Sequence, residues 1–103
     1  IHVDDINSFH LICLEDESVD GKVFNLGSGV NHSILEIYKI ISEIMGKNMP
    51  PVFKPDLEGE AQANLADIKA AKELGWSPKT DLREGLRGMV DYIKTEFERG
   101  NIR

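Results

Sequence analysis

The chain has 103 residues, 41% hydrophobic and 29% charged, a composition suited to one globular domain with a modest core. Eighteen acidic residues against twelve basic ones give a net charge of −6, which repels phosphate backbones and anionic lipid, so neither nucleic acid nor a membrane surface is expected as a partner. No segment approaches the roughly 18 consecutive apolar residues of a membrane span.

The opening Ile1-His2-Val3-Asp4-Asp5 lacks both an initiator Met and a basic region followed by an apolar run, so it is not a signal peptide and reads as a chain cut mid-domain. Ile1 to Val3 is expected to be a strand remnant. Asp4 or Asp5 can then cap a helix whose Ile6, Phe9, His10, Cys13 and Leu14 recur at helical spacing. Cys13 is the single cysteine, which rules out an internal disulfide and a Cys-x-x-Cys metal framework and suits a reducing, cytoplasmic setting. After the acidic loop from Glu15 to Gly21, Val23-Phe24-Asn25-Leu26 reads as a short buried strand closed by Gly27-Ser28-Gly29. Strand, helix and strand at this spacing predict a parallel βαβ unit with a right-handed crossover.

Ser33-Ile34-Leu35-Glu36 forms a capping box, and the helix it opens should run to Met45 and stop at Gly46. Its apolar residues cover more than one stripe, which predicts burial on two sides and a place at the centre of the core. Pro50 to Pro55 allows only a short edge strand, because proline donates no ladder hydrogen bond. No apolar period is visible from Asp56 to Asn64, and this segment is the expected binding loop. Asp67 can cap the next helix, Gly75 supplies its left-handed stop, and Pro78 follows. Trp76 is large enough to plug the corner that follows while its indole N–H finds a backbone acceptor. Thr80 or Asp81 starts a last helix with Leu82, Leu86, Met89, Val90, Ile93 and Phe97 on one face. Beyond Gly100, residues 100–103 are expected to fray. The predicted class is therefore mixed α/β over one domain, 1–103, with the βαβ unit and two to three further helices.

The residues that could carry chemistry mostly have simpler roles. Gly27-Ser28-Gly29-Val30-Asn31-His32 follows a strand pattern and precedes a helix, but His32 replaces the third glycine of a dinucleotide fingerprint and no acidic residue follows about 20 positions on. A plain turn is expected, with no cofactor site. His2, His10 and His32 form neither a helical His-x-x-x-His pair nor a His/carboxylate triad, so no metal is expected. Asp4 and Asp5 point in different directions, and capping accounts for them better than acid and base roles.

Three blocks also carry a resemblance. His2-Val3-Asp4-Asp5, Asn25-Leu26-Gly27-Ser28-Gly29, and Asp67 to Pro78 followed by Leu82-Arg83-Glu84-Gly85-Leu86 resemble, in this order, the C-terminal part of the NAD-dependent sugar-nucleotide epimerase/dehydratase family, the extended short-chain dehydrogenases. Gly59-Glu60-Ala61-Gln62 with Leu65-Ala66-Asp67-Ile68 is most similar to the UDP-glucose 4-epimerase branch, with nucleotide-sugar decarboxylases and dehydratases as alternatives. The resemblance implies a substrate-binding lobe that closes over a nucleotide-sugar, with the NAD site and the catalytic groups in a preceding Rossmann domain. It implies catalysis by a Tyr-x-x-x-Lys pair, whose lysine would lower the phenol pKa. Tyr38 is followed at that spacing by Ser42 and Tyr92 by Glu96, so no catalytic residue is assigned here. It also implies substrate contacts from Leu57, Glu58, Gly59 and Glu60, which match in order an Arg-x-Gly-Asp loop that reaches the diphosphate, and from Asn64, which falls where members of the family place an aromatic or other polar group near the nucleotide. Leu57 stands where that arginine would be, and the bidentate cation suited to a diphosphate is missing. Lys54 is the substitute point charge. Two alternatives stay open: a non-catalytic lobe, or a free-standing protein-interaction module derived from one. On the lobe reading the isolated chain is expected to self-associate through the edge of its first strand and the adjoining apolar helix surface.

Overall fold

A computed structural model describes residues 1–102, so Arg103, the end of the segment expected to fray, lies outside the described residues. The described residues form four α-helices, α1 (Val3–Glu15), α2 (Ile34–Met45), α3 (Lys69–Glu73) and α4 (Leu82–Glu98), with a one-turn 3-10 helix at Glu17–Val19. No strand is present among them, so the expected mixed α/β class and its βαβ unit are corrected to an all-α architecture. The chain divides into two compact units, residues 1–31 with 63–82 and residues 32–62 with 83–103.

In the first unit the segment expected to be a strand remnant is already the entrance to α1. His2 takes an extended conformation (φ −82°, ψ 145°) and caps the helix, its Nδ1 accepting the Asp4 N–H at 3.1 Å. Neither Asp4 nor Asp5 is the cap. Both fall in the first turn, where their charge complements the positive end of the helix dipole. The helix stops at Asp16, whose carboxylate accepts the Ser18 N–H at 2.9 Å and opens the 3-10 turn.

Phe9, Ile68, Ala71 and Trp76 form the core of this unit, with Ile12, Cys13, Phe24, Leu26 and Leu74 packed against it. Phe9 meets Phe24 at a centroid distance of 5.3 Å and Trp76 edge-on at 5.9 Å, separations at which aromatic quadrupoles attract. Trp76 plugs the corner as expected, but its acceptors lie far back in sequence: the indole N–H donates to the Asp5 carbonyl at 2.9 Å and to Ser8 Oγ at 3.0 Å. Asp5 is buried, and its carboxylate accepts the backbone N–H groups of Lys79 at 2.9 Å and Thr80 at 3.2 Å. The two ends of the unit are thus tied through one side chain and one backbone carbonyl.

Val23 to Leu26 keeps the alternation of a strand without becoming one. Val23 and Asn25 are exposed, whereas Phe24 and Leu26 turn onto the core. A strand exists only where a neighbour supplies ladder bonds, and the described residues supply none to this segment. Gly27 then passes so close to residue 66 that an added Cβ would sit 3.0 Å from the Ala66 Cβ.

The second unit is built on α2 and α4. Ser33 and Glu36 make the expected capping box, with Glu36 N–H to Ser33 Oγ at 3.0 Å and Ser33 N–H to Glu36 Oε2 at 2.6 Å. Gly46 stops the helix with φ 64°, and the Lys47 N–H returns to the Ser42 carbonyl at 3.0 Å. Arg83 of α4 is paired with Glu43 of α2. The expectation that α2 is the centre of the core is corrected: none of its residues is buried, and Ile34 is 82% exposed. Ile37, Ile40, Ile41 and Ile44 form one half-buried stripe at helical spacing, while Ile34, Leu35 and Met45 stay outside it. A helix that is apolar beyond one stripe needs cover on more than one side. Val90 of α4 is the buried hydrophobic residue of this unit. The expected edge strand at Pro50 to Pro55 is likewise absent, with Val52 85% and Phe53 78% exposed. No helix among the described residues is long and apolar enough to cross a membrane.

Candidate functional site

Leu57 to Glu60 forms a β-turn closed by the Glu60 N–H donating to the Leu57 carbonyl at 3.2 Å. Gly59 stands at its third position with φ 83°, the positive value that a type II turn requires there, and a Cβ at that place would meet nothing, so the glycine serves conformation and not space. The Glu60 side chain folds back onto its own turn, Oε2 accepting the Leu57 N–H at 3.3 Å. Gln62 Nε2 donates to Asp56 Oδ2 at 3.2 Å and draws the base of the loop together. Leu57, Glu58, Gly59 and Glu60 are all exposed, as is Lys54 upstream.

The structure thus brings Leu57, Glu58, Gly59 and Glu60 into one turn of the second unit, while Asn64, also exposed, belongs to the first. An exposed leucine contributes no cation, so the chemistry open to this turn is hydrogen bonding from backbone groups and from the second oxygen of Glu60. Tyr38 is half-buried and Tyr92 exposed. His2 is engaged as a helix cap, and His32 Nδ1 lies 4.0 Å from Glu36 Oε2. No group of three or more His, Cys, Asp or Glu side chains among the described residues could hold a metal ion.

Two open concavities escape sequence reading. One, of about 460 Å³, runs along α2 beside residues 46–51 and is lined by Tyr38, Ser42, Met49, Pro50 and Pro51 among others. The other, of about 530 Å³, lies in the first unit between Gly29 and the stretch from Leu65 to Lys72. Its walls come from a glycine turn and a helix start that are distant in sequence, and only the i, i+3 spacing of Lys69 and Lys72 hints at it.

No family model matches the chain. Among curated relatives, the UDP-glucose 4-epimerase of Corynebacterium glutamicum is 36% identical over 81% of the chain and 26% of its own length. UDP-glucuronic acid decarboxylase 2 of Arabidopsis thaliana is 41% identical over 72% of the chain and 17% of its own length. Among solved structures, the UDP-glucose 4-epimerase of Thermotoga maritima, determined with UDP-glucose, aligns at a TM-score of 0.83 and 36% identity, covering 92% of this chain and 30% of that one. The chain spans less than a third of the length of these relatives and matches their C-terminal parts. The chain is similar to the C-terminal part of these UDP-glucose 4-epimerases.

Proposed function

We propose that this chain acts as the substrate-side lobe of an NAD-dependent nucleotide-sugar epimerase in a reducing, cytoplasmic setting, forming one wall of a UDP-sugar site. The observation that carries this reading is the likeness, at 36% identity and a TM-score of 0.83, to an epimerase whose structure holds UDP-glucose. The Leu57–Glu60 turn and Asn64 are the groups proposed to face the nucleotide. The described residues do not fit NAD: the glycine turn at residues 27–29 has His32 where a dinucleotide fingerprint places its third glycine. No step of hydride transfer is derived through this chain, and the groups that hold the cofactor and move the proton are proposed to lie in a Rossmann domain preceding it in the whole protein. Self-association of the isolated chain is part of the same reading, since a lobe that packs against another domain carries apolar surface suited to docking.

Titration of the isolated chain with UDP, followed by NMR, tests the placement. Resonances of Gly59, Glu60 and Asn64 should shift, and Leu57→Arg should strengthen the response. A charge-assisted hydrogen bond is worth about 1.5–3 kcal/mol when desolvated and well under 1 kcal/mol in an open half-site, so a gain of a few-fold is expected. A response that leaves these three residues unmoved in both proteins would place the nucleotide elsewhere.

A further inference from the structure

Asp5 is a buried carboxylate that the proposed UDP-sugar site does not use. It stands in the first turn of α1 with 5% of its surface exposed, and both of its oxygens are taken by a distant part of the chain. Oδ1 accepts the Lys79 N–H at 2.9 Å and Oδ2 the Thr80 N–H at 3.2 Å, so two successive backbone donors form an anion cradle that a side chain of the same unit fills. The Asp5 carbonyl makes a second attachment, accepting the Trp76 indole N–H at 2.9 Å and the Ser8 hydroxyl at 2.7 Å.

The two attachments differ in what else supports them. Trp76 is buried, stands edge-on to Phe9 and clusters with Ile68 and Ala71, so apolar packing keeps it in place without the carboxylate. Its backbone N–H also reaches the Ala71 carbonyl at 3.3 Å and closes the end of α3. Past Trp76 this cover ends. Ser77 and Lys79 are exposed, Pro78 and Thr80 are only half-buried, and Pro78 has no N–H to donate. The hold on this stretch is therefore polar and charge-assisted, and it converges on one side chain, to which the Thr80 hydroxyl adds a further bond.

We propose that Asp5 is a latch: its carboxylate holds residues 77–80 closed on the start of α1, and release of its two N–H bonds opens that stretch as a local unit while the core around Phe9, Ile68, Ala71 and Trp76 stays folded. The latch goes beyond the UDP-sugar reading and does not rest on it. Opening breaks charge-assisted bonds and uncovers little apolar surface, since none of residues 77–80 is buried. It also frees the approach to α4, which begins two residues later at Leu82.

Amide hydrogen exchange of the full chain, followed by NMR at neutral pH in increasing sub-denaturing urea, tests the latch. In the parent, Lys79 and Thr80 should exchange at rates nearly independent of urea, because their opening exposes little surface. The amides of Lys72 and Leu74, bonded to the Ile68 and Ala71 carbonyls at 3.0 and 3.1 Å, should exchange more slowly and with a steep urea dependence. Asp5→Asn keeps the shape of the side chain but offers one acceptor oxygen to the two N–H groups. It should raise exchange at Lys79 or Thr80 by about ten- to a hundredfold relative to Lys72 and Leu74. Exchange of Lys79 and Thr80 in step with Lys72 and Leu74 in the parent would overturn the latch, and so would an unchanged ratio in the variant. The parent series decides the question if Asp5→Asn does not fold.

Discussion

Asp5 is the buried charged residue of the described chain, and its environment decides its protonation. Burial alone pushes the carboxyl up, but the N–H groups of Lys79 and Thr80, the Thr80 hydroxyl and the nearby His2 together hold it below its usual value. A carboxyl with a lowered pKa binds protons less readily in the folded chain than in the unfolded one. Its contribution to stability is therefore complete above the unfolded value of 3.8 and is lost as pH falls through that value and the lower folded one. Urea midpoints should accordingly drop between pH 5 and pH 3, and Asp5→Asn should flatten that drop, since the amide keeps an acceptor but cannot titrate. Identical pH dependence in parent and variant would assign the acid sensitivity to other carboxylates. Trp76 depends on the same residue, because its indole N–H ends on the Asp5 carbonyl. Sequence inspection offered capping for Asp5. Its true partners lie more than seventy positions away, a separation that no local pattern encodes.

Among the elements, those closed by their own residues were legible in advance. The α2 capping box is complete, and the Ser33 backbone N–H, with the Ser33 hydroxyl behind it, also holds the Glu36 carboxyl below its usual range. Ser33→Ala should cost about 1 kcal/mol through loss of the cap, read as a lower denaturation midpoint with an unchanged slope. Equal midpoints would show that the helix start is held by other contacts. The α3 stop is equally local. Gly75 at φ 88° sends its N–H to the Lys72 carbonyl at 2.9 Å, and the Trp76 N–H reaches the Ala71 carbonyl at 3.3 Å, which together make a Schellman motif. Asp67 serves α3 from one position further out than expected, bonding the Lys69 N–H while Ile68 occupies the cap position. Strands are different, because a strand is a relation between two segments. Val23 to Leu26 has the right alternation, yet no second segment among the described residues pairs with it.

For the whole molecule, exposed apolar residues set the clearest expectation. Val3, Leu11 and Leu14 lie on the side of α1 away from Phe9 and are 59%, 63% and 82% exposed. A cluster of this kind on a short chain favours association. Sedimentation equilibrium should show dimers or small oligomers growing with concentration, and Leu11→Lys with Leu14→Lys should suppress them. A strict monomer up to millimolar concentration would contradict this. The association expected through a first strand edge has no such edge, since α1 begins at Val3. The sequence by itself determined the α2 capping box, the glycine stops of α2 and α3, the corner at Trp76 and the family likeness, because each rests on residues a few positions apart or on a pattern read along the chain. Only the tertiary structure decided that the class is all-α, that the core gathers around Phe9, Ile68, Ala71 and Trp76 and not around α2, that Asp5 clasps residues 79 and 80, and that Lys69 and Lys72 face a concavity beside Gly29. Each of these depends on which distant segments meet, and burial and ladder pairing belong to that meeting and to no segment alone.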